Sequence, residues 1–97
     1  MQQQIEELLS ADAPTLARME DTLTEGYARA LALEAERWRL ERRIGEVARE
    51  GGSDIGEELK SLGTRLTHAD GELSKLRSLL ASLQERARAV RHATSRS

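Results

Sequence analysis

Glu34, Arg37 and Asp70 are the residues whose types and spacing come nearest to chemistry. If the two long segments that carry them lie side by side with flanking numbers summing to 104, Glu34 stands opposite Asp70. Two carboxylates at close range can move a proton as general acid and base, or hold a hard cation through oxygen ligands. Arg37 falls one turn after Glu34, in the slot where metal sites of helical bundles carry the His of Glu-x-x-His. A guanidinium there competes with any metal. The trio therefore reads as a structural polar cluster in which Arg37 lays its stem over Leu66 and sends its head to both acids. His68 and His92 fall on outer helical positions, the ordinary place for a solvated imidazole. With no cysteine, no Gly-rich phosphate loop and no nucleophile-base pair in the sequence, a non-enzymatic chain without metal, cofactor or small-molecule substrate is expected.

The elements that would position this cluster are helices. Ile55, Leu59, Leu62, Leu66, Ala69, Leu73, Leu76, Leu80, Leu83, Ala87 and Val90 follow one another at alternating steps of four and three, the mark of a long helix with one narrow apolar seam. A second seam runs Leu16, Met19, Leu23, Gly26, Ala30, Leu33, Arg37, Leu40, Ile44, Val47, apolar or small except at Arg37. Ninety-seven residues with one Trp, one Tyr and no Phe suit packed helices better than a compact globular core. The opening Met1-Gln2-Gln3-Gln4-Ile5-Glu6-Glu7 is neither basic nor a long apolar run, and no stretch is long and apolar enough to span a bilayer, so a cytoplasmic location is expected.

Punctuation in the chain sets the expected boundaries. Residues 1–10 form a short amphipathic segment around Ile5, Leu8 and Leu9. Pro14 then interrupts, with Asp12 as the expected N-cap of the helix that follows. That helix spans 13–50, a turn occupies 51–54, and a second helix spans 55–92, the whole hairpin covering 12–93 and leaving 94–97 as a flexible tail. Gly51-Gly52 supply a left-handed helix end, and Asp54 with Glu57 has the spacing of a capping pair. The expected fold is all-α: an antiparallel, coiled-coil-like two-helix hairpin that assembles into a four-helix bundle, since two helices alone bury too little apolar surface.

The register can be tested within the sequence. Seam residues whose numbers sum to 102 or 103 give layers in which small meets large, such as Gly26 with Leu76 and Ala69 with Leu33. Flanking pairs that sum to 101 set Arg43 opposite Glu58, Glu36 opposite Arg65 and Arg29 opposite Glu72, all complementary. Residues 1–58 carry fourteen acids and seven bases, and 59–97 carry three acids and eight bases, so an acidic arm folds against a basic one. Arginines occupied in this way argue against nucleic acid as a partner.

What the hairpin leaves over is an outer face. Tyr27, Leu31 and Trp38 lie on one side of the first helix outside its seam, and Thr67, Gly71, Ser74 and Ser78, with Thr64 and Ala81, form a stripe of small side chains on the second. Burying an exposed Trp is worth roughly 2 to 3 kcal/mol, which marks the face as a surface for a second copy of the chain or an unidentified protein. Trp38 and Leu31 folded back over their own hairpin is the competing expectation.

Two further readings rest on resemblance. Ala48-Arg49-Glu50-Gly51-Gly52-Ser53-Asp54-Ile55-Gly56-Glu57 resembles the hairpin tip of the Gre transcript-cleavage factors, although with one extra residue in the turn and without the Asn and Tyr that follow in that family. The resemblance implies a coiled coil inserted into the secondary channel of RNA polymerase, with Asp54 and Glu57 as the tip acids that help hold a catalytic magnesium. In size, a hairpin of this length also resembles the small substrates of type VII secretion. Those carry a Trp-x-Gly in the turn and a Tyr-based signal after the second helix, and this sequence has neither.

Overall fold

The computed structural model describes residues 1–10 and 15–96, the last three of them by backbone alone. Asp12 and Pro14, and Ser97 at the end of the expected tail, lie outside the described residues. Among the described residues the fold is all-helical, with α1 at Gln2–Ser10, α2 at Leu16–Glu50 and α3 at Ile55–Arg96, and no strand. The long helices α2 and α3 pack against each other.

The helix ends follow from local chemistry. Thr15 caps α2: its Oγ1 accepts a hydrogen bond from the Arg18 N–H at 3.2 Å, and its carbonyl accepts from the Met19 N–H at 3.0 Å. The first described turn of α2 thus begins after Thr15, later than the expected start at 13. At the other end Gly51 takes φ 62°, the left-handed conformation that a glycine adopts without a Cβ penalty, and its N–H returns to the Val47 carbonyl at 3.3 Å. Asp54 starts α3 through its carbonyl, which accepts from the Glu58 N–H at 3.2 Å. Where an end at 92 is expected, α3 continues to Arg96. Residues 93–96 contain neither Gly nor Pro, so nothing in the sequence stops the helix.

The chain divides into two compact units. The first comprises Met1–Ala30 and Lys75–Ser97 and so contains α1, the first part of α2 and the last part of α3. Its core is dry. Ile5, Met19 and Leu83 are wholly buried, and Leu8, Leu23, Leu76, Leu80 and Ala87 nearly so. Gly26 faces Leu80, because a Cβ at that glycine would run into Leu80 Cδ2. The register sum points instead to Leu76. Beside them, Tyr27 meets Gln84 and Glu20 meets Arg91, both pairs summing to 111 where 104 is expected on that flank. The difference has a packing cause: a seam residue on one helix fills the hole between residues of the other, so the seams interleave instead of meeting head-on.

The second unit comprises Leu31–Ser74. Leu40, Val47, Leu62 and Ala69 form its buried cluster, and Ile44, Ile55, Leu59 and Leu66 pack against it while remaining partly exposed. Leu33 and Leu73 are buried as well. Every apolar seam position of the sequence pattern is thus buried or partly buried. Complete burial is reached more often where a third helix is present, as two helices can cover only the stripe between them.

Candidate functional site

The polar cluster lies within the second unit. Arg37 Nε sits 2.8 Å from Asp70 Oδ1 and 3.3 Å from Glu41 Oε1. Neither oxygen lies in line with the N–H, so Nε is enclosed without a hydrogen bond and the contacts are ionic. Asp70 is the partner the sequence indicates, and Glu41, one turn along α2, is the second acid. Glu34 is half-buried and has a polar partner of its own. The arrangement holds a charged residue in an apolar seam by surrounding it with opposite charge. Among the described residues, no three His, Asp or Glu side chains gather in a geometry that could hold a metal ion.

One of the three expected flank pairs fixes the turn end of the same unit. Arg43 Nη2 donates to Glu58 Oε1 at 3.0 Å, and Nη1 to Glu46 Oε2 at 3.4 Å. The Glu58 hydrogen bond, then that of Glu46, raises the Arg43 pKa above its ordinary value. On the alkaline side the raised cation loses its contribution only as pH climbs past its raised value. Glu36 and Arg65, expected from the same register, form no ion pair, while Glu72 receives His68 Nε2 at 3.0 Å on its own helix and, like Arg29, has a further polar partner.

The tip acids border two shallow depressions. Asp54 borders a shallow depression of about 270 Å³ with Glu50, Gly51, Gly52, Ser53 and Glu58. Glu57 borders another, with Lys60, Ser61, Thr64 and Arg65. The expected side-chain capping exchange between Asp54 and Glu57 does not form, and the Asp54 carbonyl alone starts the helix.

The outer face is exposed. Leu31 and Trp38, in the second unit, are 66% and 62% exposed, so neither folds back over the helices that carry it. The Arg42 guanidinium lies over Trp38, 5.4 Å from the ring centroid. Thr67, Gly71 and Ser74 of the same unit are exposed, and a Cβ built at Gly71 would meet nothing within 4 Å. In the first unit Tyr27 is 44% exposed and its hydroxyl donates to Gln84 Oε1 at 2.8 Å, and Ser78 is exposed. Three of the arginines toward the end of α3 are engaged. Arg91 holds Glu20 at 2.8 Å, Arg88 approaches Glu85 at 3.6 Å, and Arg86 donates to the Leu9 carbonyl at 2.8 Å.

That last contact belongs to a surface that the heptad pattern does not announce. Ile5 and Leu8 of α1 are buried in the first unit, and Lys75 reaches Glu6 at 3.6 Å. Lys75, Leu79, Ser82 and Arg86 recur at steps of four, three and four and so share one face of α3. A signal was present in Leu79, an apolar residue outside the seam. On the flank where the other expected pairs are charged, its partner at a sum of 101 is the uncharged Thr22, and both residues are half-buried.

Comparison with models of protein families, with curated proteins and with solved structures finds no match for the chain. No described helix is long and apolar enough to cross a membrane.

Proposed function

We propose that the chain is a non-enzymatic protein-interaction module: an antiparallel helical hairpin, coiled-coil-like along its seams, that self-associates, with a four-helix bundle as the assembled form. The observation that carries this reading is the exposure of Trp38 and Leu31 on one outer side of α2 while the seam beside them is buried. A large aromatic and a Leu left in water lose the gain of roughly 2 kcal/mol each that burial would bring. Exposed Thr67, Gly71 and Ser74 on α3 allow a second helix to approach closely. The basic side chains described above are engaged with acids or carbonyls, which favours protein over nucleic acid as the partner.

The Gre-like alternative would use Asp54 and Glu57 as cooperating tip acids. Addition of the chain to backtracked RNA polymerase, with and without Asp54→Ala, tests it directly. The interaction module is tested by light scattering over a range of concentrations. A mass above the 10.8 kDa of one chain is expected, falling toward it in a Leu31→Ala/Trp38→Ala variant. A wild-type chain that stays at monomer mass throughout overturns self-association.

A further inference from the structure

The first unit contains a groove whose occupant is visible. α1 is nine residues long, shorter than the about 12–15 residues an isolated helix needs to persist in water, so it is helical because it is docked. Its attachment is compact. Ile5 and Leu8 are buried, Glu6 meets Lys75 at 3.6 Å, and the Leu9 carbonyl, one of the unsatisfied acceptors at the helix end, takes the Arg86 N–H at 2.8 Å. Both polar ties go to a single face of α3, the face that also carries Leu79. Few buried side chains hold α1, and both ties are made by long cationic side chains, which places it among the segments that open before the rest of a fold.

We infer that α1 is an exchangeable arm, and that the groove on α3 marked by Lys75, Leu79 and Arg86 accepts α1 of a second copy of this chain in place of its own. Every contact made within one chain is available between two, so exchange forfeits no native interaction and its balance is set by concentration. Exchange uses a surface different from the Leu31 and Trp38 face, and it deepens the self-association reading by naming the segment that passes between copies. When α1 leaves, the face of α3 that carries Lys75, Leu79 and Arg86 is bared. An amphipathic helix with the Ile-x-x-Leu-Leu spacing of Ile5, Leu8 and Leu9 is then the shape and chemistry that closes it.

The absence of cysteine allows a direct test. Glu6→Cys and Lys75→Cys are made in separate full-length chains. Both sites are exposed, and the ion pair they replace is worth little to folding. The two variants are mixed, equilibrated under reducing conditions and trapped with a flexible bis-maleimide long enough to span the gap that the Glu6 and Lys75 side chains bridge. A crosslink between residue 6 of one copy and residue 75 of another reports α1 of the first seated on α3 of the second. The mixed dimer is expected to exceed its statistical share, that is, to outweigh the two like-with-like dimers combined. It should be lost when Ile5→Asp is added to the Glu6→Cys chain, and reduced when Arg86→Ala is added to the Lys75→Cys chain. A mixed dimer at its statistical share, or one indifferent to Ile5→Asp, overturns arm exchange. Light scattering on the same samples keeps the two ideas apart: association that vanishes with Leu31→Ala/Trp38→Ala, but yields no excess of the mixed product, removes the arm and leaves the interaction module standing.

Discussion

Single side chains decide how closely α2 and α3 can approach. Gly26 and Gly45 are both helical glycines on α2, yet their surroundings differ. A Cβ at Gly26 would run into Leu80 Cδ2, the end of a side chain only 2% exposed and therefore short of room to turn. At Gly45 a Cβ meets nothing within 4 Å. Gly45→Ala should stabilise the chain by about 1 kcal/mol through helix propensity. At Gly26 the same gain is offset by an overpacking cost of about 1–3 kcal/mol, for a net loss of up to about 2 kcal/mol. Urea denaturation midpoints should order Gly45→Ala above wild type and Gly26→Ala below it. Equal shifts in the same direction would show that Leu80 does not occupy the space beside Gly26. Arg37 invites the opposite experiment. It occupies a seam slot between Leu33 and Leu40, its ion pairs are about half solvated, and its Nε lacks a hydrogen bond. Such pairs contribute about 0–1 kcal/mol, so Arg37→Leu, which fills the slot with apolar surface, should raise the midpoint by about 1 kcal/mol. A fall of that size would mean the acids around it are costly to leave without their cation.

At the scale of the elements, the periodic pattern was a sound guide to what is buried and a weaker one to what meets what. Seam residues could be named from spacing because a helix with apolar residues at every third and fourth position has only one side to bury. Spacing along a helix says nothing of how two helices are offset, so it pointed Gly26 to Leu76 where the nearest side chain is that of Leu80. Charge gave the offset correctly on one flank, at Arg43 and Glu58, where both side chains are long enough to meet across the interface. It could not announce the docking of α1, whose decisive ties are a backbone carbonyl and two apolar side chains. The exposure of the outer face was legible because Trp38 and Leu31 fit no seam, whereas an Asp and a Glu spaced as Asp54 and Glu57 are belong to any helix start and so carry little information. Docking of α1 makes its own prediction. Ile5 is wholly buried, so Ile5→Ala should cost about 2–5 kcal/mol if the surrounding core cannot collapse onto the space. Hydrogen exchange should quicken at residues 2–10 and at Met19, Leu76 and Leu83, with less change around Leu40 and Leu62. Uniform quickening along both long helices would show that α1 is part of one cooperative fold and not a separable arm.

For the molecule as a whole, the decisive quantity is the dependence of stability on chain concentration. A folded state that associates is stabilised by mass action, so its thermal midpoint rises with concentration, whereas the midpoint of a self-sufficient monomer does not. For a dimer that unfolds to separate chains, each tenfold increase in concentration adds about 1.4 kcal/mol to the free energy of unfolding. The two surfaces make different demands on that slope. If the Leu31 and Trp38 face joins copies, Leu31→Ala/Trp38→Ala should flatten the dependence and leave the midpoint at low concentration almost unchanged, since both side chains are already exposed in the single chain. Loss of α1 docking should act in the other sense. It lowers the midpoint at every concentration, because Ile5 and Leu8 are buried before any second copy arrives. Calorimetry on the wild type and the two variants therefore separates a surface that waits for a partner from one that the chain already fills for itself. A midpoint for the wild type that ignores concentration, with Trp38 still exposed, would leave the outer face to a foreign protein.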